Sequence, residues 1–184
     1  MDKKPVNTAM HCTELLKGFS FLSHVPVLTA ACTITTGPVL ELGAGFGSTF
    51  ALHGICGVTG RDILTLEHDK TWLTAFGYYM RSWHKFKHVK SFVGLPEYTD
   101  REWGMAFVDH GIFGERGLAL AEVRHIPIIV CHDTCYELLN YTNDGFPQVL
   151  DSFKYRFDHQ WQGPQTSILS DTVDIVSIFK EFGL

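Results

Sequence analysis

The stretch that decides the fold is Pro38-Val-Leu-Glu-Leu-Gly-Ala-Gly-Phe-Gly-Ser48. Its first five residues predict a short buried strand, and glycines then occupy every second position from Gly43 to Gly47. Glycine lets a backbone turn tightly and approach a ligand without a Cβ in the way. A helix predicted from Thr49 to about Cys56 follows directly. This order of strand, glycine-rich turn and helix is typical of a ligand-binding loop, although tight turns also need glycine for structural reasons.

On both sides of this loop, segments with helical periodicity alternate with short apolar runs. This is the pattern of a mostly parallel sheet covered by helices. We therefore predict an α/β fold with a mostly parallel seven-stranded sheet and an antiparallel terminal strand pair. The strands predicted after the first are residues 62–66, 88–93, 104–108, 126–130, 154–157 and 166–169. Helices are predicted over residues 7–23, 70–86, 114–125 and 136–153, with a short closing helix after residue 171.

Composition limits the class of protein. The chain has 184 residues, 45% of them hydrophobic and 19% charged, which is typical of one globular domain over residues 1–184. We expect an N-terminal helical region over residues 1–37 and the core over 38–184. A net charge of -5 argues against a nucleic-acid partner, and the basic run from Arg81 to Lys90 is predicted to be a helix C-terminus. Five scattered cysteines and no long apolar segment predict a cytoplasmic protein without a membrane span.

Polar residues follow almost every predicted strand. Because ligands of open α/β sheets bind at the carboxyl ends of the strands, these residues are expected to form one site. The predicted site contains residues 41–48, Glu67, residues 94–98, Asp109 and residues 132–134. Glu67 ends the second strand, where a carboxylate can accept hydrogen bonds from both hydroxyls of a ribose. Alone, such a residue is usually a solvated loop residue or a helix cap, but beside the glycine loop it favours a nucleoside ligand.

These residues resemble the class I S-adenosylmethionine-dependent methyltransferases. The first motif of that family is an acidic residue two positions before a Gly-x-Gly-x-Gly loop, matched by Glu41, Gly43, Gly45 and Gly47. The resemblance implies a Rossmann-like three-layer sandwich and S-adenosylmethionine as the cofactor. It also implies that the glycine loop contacts the methionine part of the cofactor and that Glu67 holds its ribose. The expected cofactor-binding residues are Glu41, Gly43, Ala44, Gly45, Gly47, Ser48, Glu67, His68 and Asp109.

The later segments are similar to the catechol O-methyltransferase branch of this family. Phe107-Val-Asp109-His110 resembles the fourth-strand motif whose aspartate binds Mg²⁺ in that branch. His132 and Asp133 stand where the branch has an Asp-Asn pair, so the match is partial. The resemblance therefore implies Mg²⁺ or another divalent cation at Asp109 and Asp133. However, Mg²⁺ prefers oxygen ligands, and His132 weakens that prediction.

Methyl transfer requires mainly that an acceptor is positioned in line with the methyl group and that water is excluded. Asp109 is the first candidate for the group that faces the acceptor, followed by His132 and His110. Tyr98 and Trp103 are candidates to stack on adenine, with core packing as the alternative for Trp103. The compact chain favours a small or accessible acceptor, the catechol-like resemblance implies methylation on oxygen, and the oligomeric state is left open. Two alternatives remain: a non-catalytic binder of this fold, and a nucleotide-dependent sugar or phosphate enzyme on a similar sheet.

Overall fold

The computed structural model describes residues 22–112, 114–135, 145–160 and 163–181. The strands in these ranges are β1 (Val39–Leu42), β2 (Ile63–Glu67), β3 (His84–His88), β4 (Met105–Val108), β5 (Ile129–Cys131), β6 (Tyr155–His159) and β7 (Thr166–Ser170). The α-helices are α1 (Val25–Ile34), α2 (Ser48–Thr59), α3 (Lys70–Phe76), α4 (Arg116–Glu122), α5 (Phe146–Asp151) and α6 (Ile175–Glu181). Short 3₁₀ helices cover Gly77–Tyr79, Pro96–Tyr98 and Val123–His125.

The strands form one sheet in the order β3-β2-β1-β4-β5-β7-β6. Strands β1 to β5 are parallel to one another, whereas β7 is antiparallel to both β5 and β6. This confirms the predicted Rossmann-like α/β fold and its antiparallel terminal pair. The strand order reverses between β1 and β4, so a crevice is expected at their carboxyl ends.

Apolar side chains cover both faces of the sheet, because strands buried on two sides alternate between two cores. On one face, Leu42 and Val108 pack with helices α4 and α5 through Leu120 and Leu150. On the other face, helices α1, α2 and α6 contribute the buried residues Leu28, Leu52 and Phe179. The sheet is therefore the middle layer of three.

The predicted third strand was wrong in position, and the helix before it was predicted too long. Helix α3 ends at Phe76 before Gly77, and β3 runs from His84 to His88 instead of residues 88–93. In β3 the side chains alternate: His84 is buried, while Lys85 and Lys87 are exposed. The basic run is thus an edge strand rather than a helix C-terminus, and its lysines protect that edge from pairing with another chain.

Helix α1 was not predicted. The helix that was expected over residues 7–23 lies almost wholly outside the described residues. The expected helix over 136–153 is described only from residue 145, where α5 begins at Phe146. The predicted terminal hairpin and closing helix are confirmed as β6, β7 and α6. Among the residues that the structure describes, none forms a helix long and apolar enough to cross a membrane.

Candidate functional site

The glycine loop leaves β1 at Gly43, where the backbone has a φ of +95°. A Cβ placed on Gly43 would lie 2.8 Å from the Cα of His110, so the loop passes directly over the end of β4. A backbone this close, in a conformation that other residues rarely adopt, requires glycine at position 43. The carboxyl ends of β1 and β4 therefore meet at the loop.

The buried side chain of Glu41 is connected to the glycine loop by hydrogen bonds through Thr49. Its side chain has no exposed surface and accepts hydrogen bonds from the hydroxyls of Thr49, at 2.9 Å, and Thr65, at 2.6 Å. The Thr49 hydroxyl oxygen in turn accepts a hydrogen bond from the backbone N–H of Gly45 at 2.9 Å. Burial raises the pKa of Glu41 to about 7, although these hydroxyl bonds favour its charged form. Glu41 thus contacts the loop through Thr49 and positions the amide of Gly45.

Glu67 connects the end of β2 to the same loop. One carboxylate oxygen accepts a hydrogen bond from the backbone N–H of Ala44 at 2.8 Å, and the other accepts from the N–H of Asp69 at 2.7 Å. Glu67 is only 4% exposed, whereas the neighbouring His68 side chain is 37% exposed, with its Nδ1 2.9 Å from Glu67 Oε1. The structure therefore brings together the glycine loop and the carboxylate that the sequence paired.

A second cluster follows strands β4 and β5. His132 Nδ1 lies 3.2 Å from Asp109 Oδ2 and 3.4 Å from Asp133 Oδ1. The guanidinium of Arg116 lies 3.4 Å from Asp109 Oδ1 and 3.7 Å from Asp133 Oδ2. Asp133 has a φ of +55°, a left-handed conformation that is uncommon outside glycine and is often found at functional sites. Asp109 and Asp133 are partly exposed, whereas His132 and Arg116 are buried.

The charges in this cluster influence one another. Burial raises the pKa of Asp109, but the hydrogen bond from His132 and the positive charge of Arg116 outweigh it and leave that pKa lowered. Burial lowers the pKa of His132, but the Asp109 hydrogen bond and the two carboxylates raise it overall. The pKa of Asp133 is raised, because burial and the charge of Asp109 disfavour its ionised form. Two carboxylates, one imidazole and one guanidinium therefore form one interacting set.

The residues at this position do not fit Mg²⁺. Arg116 already places a positive charge against Asp109 Oδ1 and Asp133 Oδ2, the two carboxylates expected to hold the ion. His132 supplies a ring nitrogen where Mg²⁺ would need an oxygen. These residues therefore do not form the magnesium site implied by the catechol O-methyltransferase branch.

His110 is buried rather than open to an acceptor. It is 1% exposed, and its ring stacks on Phe92 with the centroids 3.9 Å apart. Burial and the nearby charge of Arg116 lower its pKa to about 3, which keeps the ring neutral. Tyr98 and Trp103, the candidates for adenine stacking, both lie in the core and donate hydrogen bonds to the carbonyls of Phe92 and Glu97.

Sequence reasoning missed Arg116, His24 and Ser23. A signal for Arg116 existed: it is the first residue of α4, and a cation there is disfavoured by the helix dipole unless acidic partners offset it. Its Nη2 also donates to the backbone carbonyl of His110 at 2.6 Å. His24 and Ser23 precede an unpredicted helix, so only the three-dimensional structure brings them to His132.

A surface cleft of about 400 Å³ lies at the opposite ends of the strands, against Gly37, Gly104 and Pro127. These residues precede β1, β4 and β5, so the cleft is at the amino ends of the strands. Ligands of open α/β sheets bind at the carboxyl ends. We therefore place the candidate site at the glycine loop and not in this cleft.

No family model and no curated protein matches the sequence. Solved structures do match the fold. The O-methyltransferase TomG from Streptomyces achromogenes, solved with SAM, has a TM-score of 0.58 at 11% identity and covers 92% of each chain. SAH-bound PaMTH1 from Podospora anserina has a TM-score of 0.55 at 15% identity, covering 92% of this chain and 98% of that one. Precorrin-6y C5,15-methyltransferase from Geobacter metallireducens has a TM-score of 0.55 at 13% identity, covering 80% and 87%.

The fold of this chain is therefore that of class I S-adenosylmethionine-dependent methyltransferases, as the sequence motifs indicated. The matched structures do not single out the catechol branch, because they include a carbon methyltransferase as well as O-methyltransferases. Identities of 11–15% establish the fold alone. What this chain binds and catalyses has to be argued from its own residues.

Proposed function

We propose that the chain is a methyltransferase that binds S-adenosylmethionine at the glycine loop and methylates an oxygen of a small or accessible acceptor. One observation carries the proposal: Glu67 at the end of β2 bonds the backbone of Ala44 within the glycine loop. A turn that exposes backbone and a carboxylate beside it are the two features that a nucleoside with an amino-acid tail requires. The loop lies at the switch point between β1 and β4, and Glu67 lies next to it at the end of β2.

On this proposal the loop residues Gly43 to Ser48 receive the methionine part of the cofactor. Ala44 and Gly45 are partly exposed, while Gly43 and Ser48 are buried beneath them. Glu67 Oε2 accepts one backbone hydrogen bond and retains a second lone pair for a ribose hydroxyl, whereas Oε1 accepts from Asp69 and also faces His68 Nδ1. His68 is exposed beside Glu67 and is expected to border the sugar.

The acceptor would lie against Asp109 and Asp133. Bound S-adenosylmethionine supplies a methyl group on a sulfonium that is already electrophilic, so the protein mainly has to orient the nucleophile. Asp109 is partly exposed, and its carboxylate can accept the proton of an acceptor hydroxyl. His132 and Arg116 hold that carboxylate from two sides and act as positioning residues. His110 is buried against Phe92 and is not included among the groups that touch the acceptor.

Binding and turnover are tested separately on the full chain. S-adenosylhomocysteine should raise the melting temperature and give a saturable isotherm by calorimetry, because a ligand that binds only the folded state stabilises it. A panel of phenolic and other hydroxyl acceptors is then incubated with methyl-labelled S-adenosylmethionine. Label transfer that is lost in Asp109→Asn, with cofactor binding retained, is the expected result.

The alternatives give other outcomes. Saturable S-adenosylhomocysteine binding without label transfer to any acceptor would contradict the enzyme assignment and favour a non-catalytic binder. Tighter binding of a nucleotide sugar than of S-adenosylhomocysteine would favour a nucleotide-dependent enzyme. An absence of any shift at saturating S-adenosylhomocysteine would overturn the proposal.

A further inference from the structure

His24 is a buried histidine whose ring nitrogens are both without a hydrogen-bond partner among the described residues. It is 4% exposed, and neither Nδ1 nor Nε2 reaches a donor or an acceptor. A neutral imidazole has a lone pair on one ring nitrogen, and no group among the described residues donates a hydrogen bond to it. A buried polar atom left without a partner destabilises the fold and calls for an explanation.

His132 presents a second ring beside His24, with one nitrogen facing Ser23 and the other facing Asp109. Its Nε2 lies 3.1 Å from the hydroxyl of Ser23, and that hydroxyl donates its single proton to the carbonyl of Pro164. Ser23 can therefore only accept from His132, which places a proton on Nε2. Its Nδ1 lies 3.2 Å from Asp109 Oδ2, and a metal ion bound at Nδ1 would replace the proton that these two atoms otherwise share.

The two histidines and Asp109 converge on one point. One ligand atom from each of His24, Asp109 and His132 lies within 4.8 Å of the other two. Tetrahedral zinc has ligand distances of about 2.0–2.2 Å, which places its donor atoms roughly 3.4 Å apart. Small side-chain rotations would bring the three ligand atoms to that separation. We propose that His24, Asp109 and His132 form a binding site for a divalent metal of the zinc class.

The donor chemistry selects this metal class. Two neutral imidazoles and one carboxylate suit Zn²⁺, Co²⁺ and Fe²⁺, whereas Mg²⁺ requires oxygen ligands. Arg116 does not block this position, since it approaches Asp109 through Oδ1 while His132 approaches through Oδ2. The hydrogen bond from His132 Nε2 to Ser23 is the outer contact that orients a metal-bound imidazole.

The site lies beside the glycine loop but does not depend on methyl transfer. A Cβ placed on Gly47 would lie 2.9 Å from His24 Nε2, so His24 packs directly under the loop. Its ring also contacts Phe107, with the centroids 5.2 Å apart, and lies edge-on to His132 at 4.5 Å. The metal site shares Asp109 and His132 with the proposed acceptor site, but its test measures metal binding and does not require methyl transfer.

The test measures metal binding to the full chain after removal of bound metal with a chelator. Zn²⁺ alone is titrated by calorimetry in the presence and absence of excess Mg²⁺, and Co²⁺ is followed by its visible absorption. The wild-type chain should bind one Zn²⁺ that Mg²⁺ does not displace, and Co²⁺ should give the intense bands of a tetrahedral site. His24→Phe should weaken Zn²⁺ binding by at least the ~10–100-fold that the loss of an outer contact causes.

His110→Phe is the matched control, because His110 is also buried and without a hydrogen-bond partner among the described residues but lies outside the triad. It should retain wild-type zinc affinity. Circular dichroism verifies folding, and His24→Gln replaces His24→Phe if the latter is unfolded. Equal zinc affinity in the folded His24 variant and the wild type would mean binding by surface histidines only and would overturn the site. Zinc binding that needs His24, in a chain that does not bind S-adenosylhomocysteine, would support the site and reject only the proposed function.

Discussion

The carboxylate of Glu67 accepts a hydrogen bond from the backbone N–H of Ala44 across 2.8 Å and thereby connects β2 to the loop that follows β1. The same carboxylate accepts from the N–H of Asp69, at the start of α3. One buried side chain thus fixes two loops at the carboxyl edge of the sheet. The acid that we propose to bind the ribose therefore also organises the loop on which the rest of the cofactor would lie.

Glu67→Ala should weaken both stability and cofactor binding. Two backbone donors lose a charged acceptor, which we expect to lower the free energy of unfolding by about 1–3 kcal/mol. The dissociation constant for S-adenosylhomocysteine should rise at least ~10-fold, equivalent to the loss of one hydrogen bond to a charged group. Urea denaturation and calorimetry measure the two effects.

Asp69→Ala serves as the control for Glu67. The Asp69 side chain is exposed and caps α3 by accepting from the N–H groups of Thr71 and Trp72. Its loss should reduce stability and leave S-adenosylhomocysteine affinity unchanged. Wild-type affinity in Glu67→Ala would contradict the assignment of Glu67 to the cofactor site.

Gly45→Val should abolish cofactor binding in a folded protein. The backbone of Gly45 is not in the left-handed region, and a Cβ there would meet only the side-chain oxygen of Ser48, at 3.2 Å. The branched side chain should therefore fit the fold while covering the partly exposed loop. Thermal shift with S-adenosylhomocysteine measures the loss, and retained binding would mean that the ligand lies elsewhere.

Gly43→Ala should behave in the opposite way. Its Cβ would collide with the backbone of Asp109 and His110, and its φ of +95° disfavours any side chain. This variant should lose stability before cofactor binding can be measured. A stable Gly43→Ala protein would contradict the close contact between the ends of β1 and β4.

The sequence predicted the part of the site that rests on local chemistry. The glycine loop and Glu67 follow strands whose apolar runs are short and clear, and parallel topology brings their ends together. It could not show that Glu41 is fully buried, because burial of an acid depends on hydroxyls from two other elements, at Thr49 and Thr65. Tertiary partners, not local pattern, decided that residue's role.

The errors have a similar physical origin. The run His84-Lys-Phe-Lys-His88 contains basic residues that suggested a helix end, but its alternation of large and charged side chains is the two-residue period of an edge strand. Gly77 at the end of α3 was the available stop signal. His24 gave no signal, since its partner His132 is separated from it by most of the chain.

Arg116 should prevent Mg²⁺ from binding between Asp109 and Asp133. Millimolar Mg²⁺ should not change the melting temperature of the wild type, because the guanidinium already neutralises these carboxylates. Arg116→Gln should destabilise the fold by about 1–3 kcal/mol, since two partly buried carboxylates lose their cation. Added Mg²⁺ should then restore part of the melting temperature. Stabilisation of the wild type by Mg²⁺ would show that the charge argument is wrong.

Stability should fall in acid because His84 is buried in its neutral form. Burial, followed by the charges of His53 and Arg81, lowers the pKa of His84 to about 3. Its Nε2 lies 2.9 Å from Thr65 Oγ1, and its Nδ1 lies 2.9 Å from Nδ1 of His53. Below the unfolded pKa of 6.5, His84 binds a proton in the unfolded chain, whereas in the folded chain it stays neutral until about pH 3. The stability contributed by His84 is therefore complete above pH 6.5 and is lost as pH falls toward 3.

Comparison of the wild type with His84→Gln isolates this contribution. Glu41 acts with the opposite sign, because its raised pKa of about 7 favours the folded state as pH falls from 7 to 4.5, but both proteins contain it. The advantage of the wild type over His84→Gln should shrink below pH 6.5 by at most about 1.4 kcal/mol per pH unit. Urea denaturation at a series of pH values measures the difference. A difference that stays constant from pH 7 to 4 would mean that His84 is protonated in the folded protein, and the hydrogen bonds assigned to it would then be wrong.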